Sequence, residues 1–251
     1  MTTLAYGSHP DQVADLYLPG SGPAPLILLL HGGFWRERVG RDYTTGIAQV
    51  LAEAGYAVAN VEYRRMGGGG GWPLTFTDIA LAVDELPDLI DRAEPGRIDR
   101  DRVISVGHSA GGQLALWAML RDRLPTTHSW YRDEPPRISS VVALAPVTDL
   151  AEAYRLGSGE NAVAEFLGGG PDQFAERYAF GDPITLGRLP IPVVVVHGDR
   201  DQRVPIHLSR EYCAKTDADL VELKGIDHFQ LTDPDSPAWP AVRAQIDRAI
   251  G

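Results

Sequence analysis

The chain is nearly free of cysteine. Cys213 is the only one in 251 residues, so no internal disulfide can form. Its surroundings, the helical stretch 205–216, hold nothing that would activate a thiol, and it reads as a bystander on a surface helix. A basic signature is missing too. Basic residues number 23 against 34 acidic ones, a formal net charge of −11, with no Lys/Arg cluster to override it. That balance argues against nucleic acid or an anionic membrane as the main partner. Long hydrophobic runs are absent: the longest strongly apolar run, 26–30, is far too short to cross a membrane. Residues 1–15 are polar, with no basic stretch leading into an apolar one, so the expectation is no secretory signal and a cytoplasmic protein.

What is present is ample material for a core, with 44% hydrophobic residues. Short apolar runs alternate with helical patterns, which implies an α/β fold: a mainly parallel central sheet with helices on both faces. The expected strands are 14–18 (antiparallel), 26–30, 57–61, 103–106, 141–144, 192–196 and 220–223. The expected helices include 43–54, 75–92 in spite of Pro87, and a closing helix at 238–250. No linker divides the chain, so 1–251 is expected to be one domain. Two stretches break the rhythm. Five consecutive glycines at 67–71, followed by Trp72 and Pro73, read as a flexible loop, or as a mobile rim with Trp72 as a wall. The stretch 148–185 is too long for a simple connection, and its apolar residues suggest a small helical insertion that could cap a site.

The chemistry begins at Gly107-His108-Ser109-Ala110-Gly111-Gly112. An apolar strand pattern precedes it and an apolar helix pattern follows, the setting of a Gly-x-Ser-x-Gly nucleophile elbow. Such a turn strains the serine backbone and needs small neighbours. With 27 glycines and ten serines in the chain, chance supplies roughly 0.1 such patterns, so context must decide. A serine hydroxyl needs a base, and the base needs an orienting carboxylate. The acid candidates are Asp199 and Asp201, in the turn after the valine strand 193–196. Asp199 follows Gly198 and suits a local turn, which favours Asp201. His228, in Gly225-Ile226-Asp227-His228, follows the last expected strand and is the one histidine of seven with that position. His31, His108 and His197 adjoin motif residues and could orient loops. Backbone donors for an oxyanion are expected from Gly33 and Phe34, in His31-Gly32-Gly33-Phe34-Trp35, and from Ala110.

The order His-Gly-Gly, Gly-x-Ser-x-Gly, Asp, His resembles that of the α/β-hydrolase fold. The pairing of His31-Gly32-Gly33-Phe34-Trp35 with the elbow is similar to that of small carboxylesterases and arylformamidases of the kynurenine formamidase type. The turn from His197 to Pro205 is similar to the acid turn of prolyl-oligopeptidase-like hydrolases, and that likeness strengthens Asp201 as the acid. The resemblance implies a serine hydrolase acting on a small-molecule ester or amide through an acyl-enzyme, with no metal and no organic cofactor. Phe34 stands where the lipase-type loop has a third glycine. Trp35 beside it would either narrow the acyl side, favouring formyl or acetyl groups, or simply pack the loop. The alternatives left open are an arylformamidase acting on N-formylkynurenine, a prolyl-oligopeptidase-like peptidase, a perhydrolase or lyase, and a non-catalytic binder. The oligomeric state, a homodimer included, is also open.

Overall fold

The computed structural model describes residues 1–251. Eight strands form one sheet: β1 (Thr2–Ala5), β2 (Val13–Tyr17), β3 (Ala24–Leu30), β4 (Ala57–Val61), β5 (Ile98–His108), β6 (Ser140–Leu144), β7 (Val193–Gly198) and β8 (Asp219–Leu223). Their spatial order is β1-β2-β4-β3-β5-β6-β7-β8. β2 pairs antiparallel with both of its neighbours, β1 at the edge and β4, and every other pairing is parallel.

The parallel strands read as unbroken apolar runs because both faces of the sheet are covered. All seven residues of β3 are buried. Leu26, Leu28 and Leu30 point into one core, shared with the helices α2 (Leu74–Ala93), α3 (Ala110–Ala118) and α8 (Ile206–Thr216). Ile27 and Leu29 point into the other, shared with α1 (Thr45–Glu53) and α9 (Trp239–Ile250). Each such side chain contributes about 1.5–3 kcal/mol on burial.

Several local expectations shift. β1 was not foreseen, because Thr2, Thr3 and Leu4 bury little and carry no alternation. It is held by its ladder to β2 and by Thr3 Oγ1 donating to Asp15 Oδ1 at 2.7 Å. β5 starts at Ile98 rather than 103, since the charged stretch from Asp99 to Arg102 extends past the edge of the core. The expected helix 43–54 begins as a 3-10 turn, Arg41–Thr44, before α1. Cys213 lies on α8 as expected but faces the sheet; it is buried, and burial pushes its thiol up to about 12. The glycines at 67–71 form a close turn rather than a loose loop. Gly68 and Gly70 N–H groups both donate to the Arg65 carbonyl, and a Cβ on Gly70 would lie 2.3 Å from the Arg64 carbonyl.

The stretch 148–185 folds into α4 (Leu150–Arg155), α5 (Ser158–Leu167), α6 (Ala175–Gly181) and α7 (Pro183–Leu186). Asp149 caps α4, accepting from the Glu152 N–H at 2.7 Å. Phe166 of α5 stacks on Trp35 at 4.4 Å between ring centroids. Gln113 of α3 ties three elements together. It accepts from Trp35 Nε1 at 3.2 Å and donates to the Gly181 carbonyl at 2.9 Å.

Asp182, between α6 and α7, is buried. Its Oδ2 accepts weakly from the Ala151 N–H at 3.4 Å, and its Oδ1 has no partner. Burial pushes this carboxyl up to about 8, only partly offset by backbone donors. The folded chain therefore holds a proton that the unfolded chain releases. The associated stability is fully present below the ordinary carboxylate range and is lost as pH rises toward the folded value. Asp182→Asn keeps an acceptor and removes the titration. We expect the melting temperature of the parent to fall relative to this variant between about pH 4 and about pH 8. Parallel curves for the two proteins would contradict the assignment.

Candidate active site

Ser109 sits between the end of β5 and the start of α3, with φ 56° and ψ −117°. That left-handed backbone turns the chain sharply from strand to helix. Two glycines make the turn possible. A Cβ on Gly107 would lie 2.3 Å from the Gly111 carbonyl oxygen. A Cβ on Gly111 would lie 2.3 Å from the carbonyl oxygen of Leu30 and 2.4 Å from that of His31. The first turn of α3 is thus pressed, backbone to backbone, against the carboxyl end of β3. Ser109 Oγ is buried and makes no hydrogen bond within the protein.

The loop after β3 reaches the same place. Gly33, Phe34 and Trp35 all have positive φ, at 110°, 53° and 56°. Neither the Gly33 nor the Phe34 N–H donates to another group of the protein. Ala110 opens α3, where helix N–H groups have no intrahelical acceptor. His31 anchors the loop from below. Its Nδ1 lies 2.7 Å from the Gly32 carbonyl and its Nε2 2.9 Å from Glu62 Oε1, and its ring stacks on Tyr63.

Asp201 and His228 come from the loops after β7 and β8. His228 Nδ1 donates to Asp201 Oδ2 at 2.6 Å. Asp201 Oδ1 accepts from the backbone N–H groups of Arg203 and Val204 at 2.7 and 2.8 Å. Burial alone would raise this carboxyl. Hydrogen bonds from His197 and His228, with the Val204 N–H, outweigh it and hold the group well below the usual carboxylate range. Asp199 does something else: its Oδ1 accepts from the Gly225 N–H at 2.6 Å and closes a turn.

Two further histidines brace this pair. His197 Nε2 is 3.2 Å from Asp201 Oδ2, while its Nδ1 accepts from Ser209 Oγ at 2.7 Å. His108 Nε2 donates to the His228 carbonyl at 3.0 Å, and the two rings lie 4.5 Å apart. Burial, then the neighbouring His228, drives the His108 imidazole well below its ordinary range, so it stays neutral. The sequence marked both histidines only as neighbours of motif residues.

Ser109, His228, Gly33 and Phe34 line one cavity of about 230 Å³, together with Arg38, Val39, Tyr43, His108, Arg203 and Phe229. Arg38, Tyr43, Arg203 and Phe229 carried no motif, and only the folded chain assembles them. Trp35 and Trp72, expected as pocket walls, must be corrected. Trp35 is fully buried against Phe166, and Trp72 packs edge-on against Phe76 and Trp130. Neither lines the cavity at Ser109. Of the two aromatics in the loop after β3, Phe34 does, and Gly159 of α5 packs directly on its ring.

Residues 14–215 match the family model BD-FAE. Among curated proteins, the chain is 26% identical to a monoacylglycerol lipase of Mycolicibacterium smegmatis, across 89% of this chain and 88% of that protein. It is also 26% identical to Esterase LipC of Mycobacterium tuberculosis, across 92% of this chain but 60% of that longer protein. Among solved structures, a truncated carbohydrate esterase from gut microbiota shares the fold with a TM-score of 0.79 at 18% identity, covering 100% of this chain and 97% of that one. Esterase 2 of Thermogutta terrifontis with propionate bound does so with a TM-score of 0.75 at 19% identity, covering 98% and 92%.

The contact at Gly111 yields a direct test. Gly111→Ala places a methyl against two carbonyl oxygens, so α3 and the loop after β3 must separate. Urea unfolding is expected to show a loss of about 1–3 kcal/mol. An unchanged midpoint would mean that the backbones are not in contact there.

Proposed function

Because the chain belongs to the BD-FAE family and has the α/β-hydrolase fold, we propose that it is a serine hydrolase that cleaves small carboxylic esters with short acyl chains. The observation that carries this reading is the 2.6 Å bond from His228 Nδ1 to Asp201 Oδ2 beside an unpartnered Ser109 Oγ in one cavity. Esters are the reaction named for both curated relatives, a lipase and an esterase. The cavity, at about 230 Å³, lies below the usual range for drug-sized ligands. Phe34 and Val39 on its wall favour acetyl or propionyl over long acyl groups.

In this mechanism Asp201 holds the proton of His228 on Nδ1, so Nε2 is the basic nitrogen. As Ser109 Oγ attacks the ester carbonyl, His228 Nε2 takes the hydroxyl proton. The carbonyl oxygen becomes an oxyanion, held by the N–H groups of Gly33, Phe34 and Ala110. These donors are fixed before the reaction starts, so they cost no reorganisation when charge develops. His228 then gives its proton to the departing alkoxide, leaving Ser109 acylated. Water attacks the acyl carbon as His228 Nε2 takes one of its protons; the acyl–Oγ bond then breaks, His228 returns that proton to Ser109 Oγ, and the acyl group leaves as a carboxylic acid. In this role Asp201 stays ionised throughout and stabilises the imidazolium. The whole chain acts as one catalytic domain, with the helices of 148–185 as a wall behind Phe34.

A 4-nitrophenyl ester series from acetate to octanoate tests both parts of the proposal. Ser109→Ala is expected to lower kcat by about a thousandfold or more. Retention of the parental rate in that variant would remove Ser109 as nucleophile. Asp201→Asn is expected to lose far more kcat than Asp199→Asn, because only the first changes the His228 tautomer. Acetate should exceed octanoate in kcat/KM, and the reverse order would reject the short-chain preference.

A further inference from the structure

The wall of the Ser109 cavity carries two cations and no acid. Its lining residues are Gly33, Phe34, Val39, Tyr43, His108, Ser109, His228 and Phe229, with Arg38 and Arg203. In a chain with a formal net charge of −11 this is a local inversion of sign. Neighbouring arginines are neutralised. Arg36 is tied to Glu160 and Glu165, and Arg41 to Asp15 and Glu62. Arg38 and Arg203 have no carboxylate within salt-bridge distance, and both are exposed at the cavity mouth. The Arg203 guanidinium lies over the Phe229 ring, 5.7 Å from its centroid, so an aromatic face steadies it without consuming its charge.

The same two arginines also line an adjoining groove of about 340 Å³ beneath α5, bordered by Leu156, Ser158, Gly159, Gln202 and Pro205. They therefore stand at the junction between the space around Ser109 and the space beyond Phe34. Glu160 is the one acid in that groove, and Arg36 already holds it. Guanidinium forks are matched to carboxylates in shape as well as charge.

We propose that the preferred substrates are esters that carry a carboxylate a few bonds from the scissile carbonyl, held by Arg38 and Arg203 at the junction of the two cavities. This rests on the ester-hydrolase reading of Ser109, and names the substrate class for that site. The carboxylate belongs either to the acyl part or to the alcohol part of the ester. In both cases hydrolysis proceeds as above, with water consumed and an acid and an alcohol released.

Two matched ester pairs distinguish those sources. For the acyl side the pair is 4-nitrophenyl hemisuccinate against its methyl ester. For the leaving-group side it is 4-acetoxybenzoate against its methyl ester. In at least one pair the charged member is expected to have about tenfold higher kcat/KM at low salt, the combined effect of two exposed charge contacts. The ratio should fall at high ionic strength and drop to within about twofold in the Arg38→Gln/Arg203→Gln double variant. A ratio of one or less in both pairs overturns the proposal. Binding of succinate and 4-hydroxybenzoate to Ser109→Ala, by calorimetry, separates it from the ester reading. Neutral esters hydrolysed without charge preference and without carboxylate binding would remove the arginine role alone. Carboxylate binding that is lost in the arginine variant, with no ester hydrolysed by the parent, would keep the anion site and remove the ester reading.

Discussion

One close approach organises this molecule: Gly111, in the first turn of α3, against the carbonyl oxygens that end β3. At 2.3 and 2.4 Å from where a Cβ would be, those oxygens leave no room for any side chain. The contact brings the strained turn at Ser109 and the loop of Gly33 and Phe34 to one point above the sheet. It also sets the height of α3, from which Gln113 reaches both Trp35 and the Gly181 carbonyl. The turn at Ser109, the loop of Gly33 and Phe34 and the 148–185 helices are therefore registered to one another through a single patch of bare backbone.

The second organising group is Asp201. One carboxylate oxygen takes the turn's own N–H groups and the other faces two histidines. His228 is held at its ring by Asp201 and at its carbonyl by His108, which itself belongs to the elbow. The loops after β5, β7 and β8 are thereby joined by hydrogen bonds between buried or half-buried groups. Such bonds are stronger than their exposed counterparts, and each broken partner is costly. The positioning of the His228 ring thus depends on residues from three separate strand ends.

Much of this was legible from the chain. Patterns that act locally are visible in one segment: the glycines around Ser109, the apolar runs of β3 and β7, and the acid turn from His197 to Pro205. The order of motifs then restricted which histidine and which aspartate could meet. Other features were not legible because they depend on what lies opposite. Trp35 and Trp72 look like pocket aromatics in sequence, yet apolar surface is equally suited to a core, and their partners Phe166 and Trp130 are far along the chain. The glycines at 67–71 suggested looseness, but their carbonyl and side-chain neighbours turn them into a close-packed bend. β1 carried no periodicity, since an exposed edge strand buries too little to impose one.

The sequence by itself determined the α/β layering and the tight turn at Ser109, because strand burial and tight turns impose composition over short spans. The tertiary structure alone decided which groups surround Ser109. It made Phe34 rather than Trp35 a wall and brought Arg38 and Arg203 to the lining of one cavity. These outcomes rest on distances between loops that are remote in the chain. No local pattern of residues encodes such distances; the packed sheet and its helices set them.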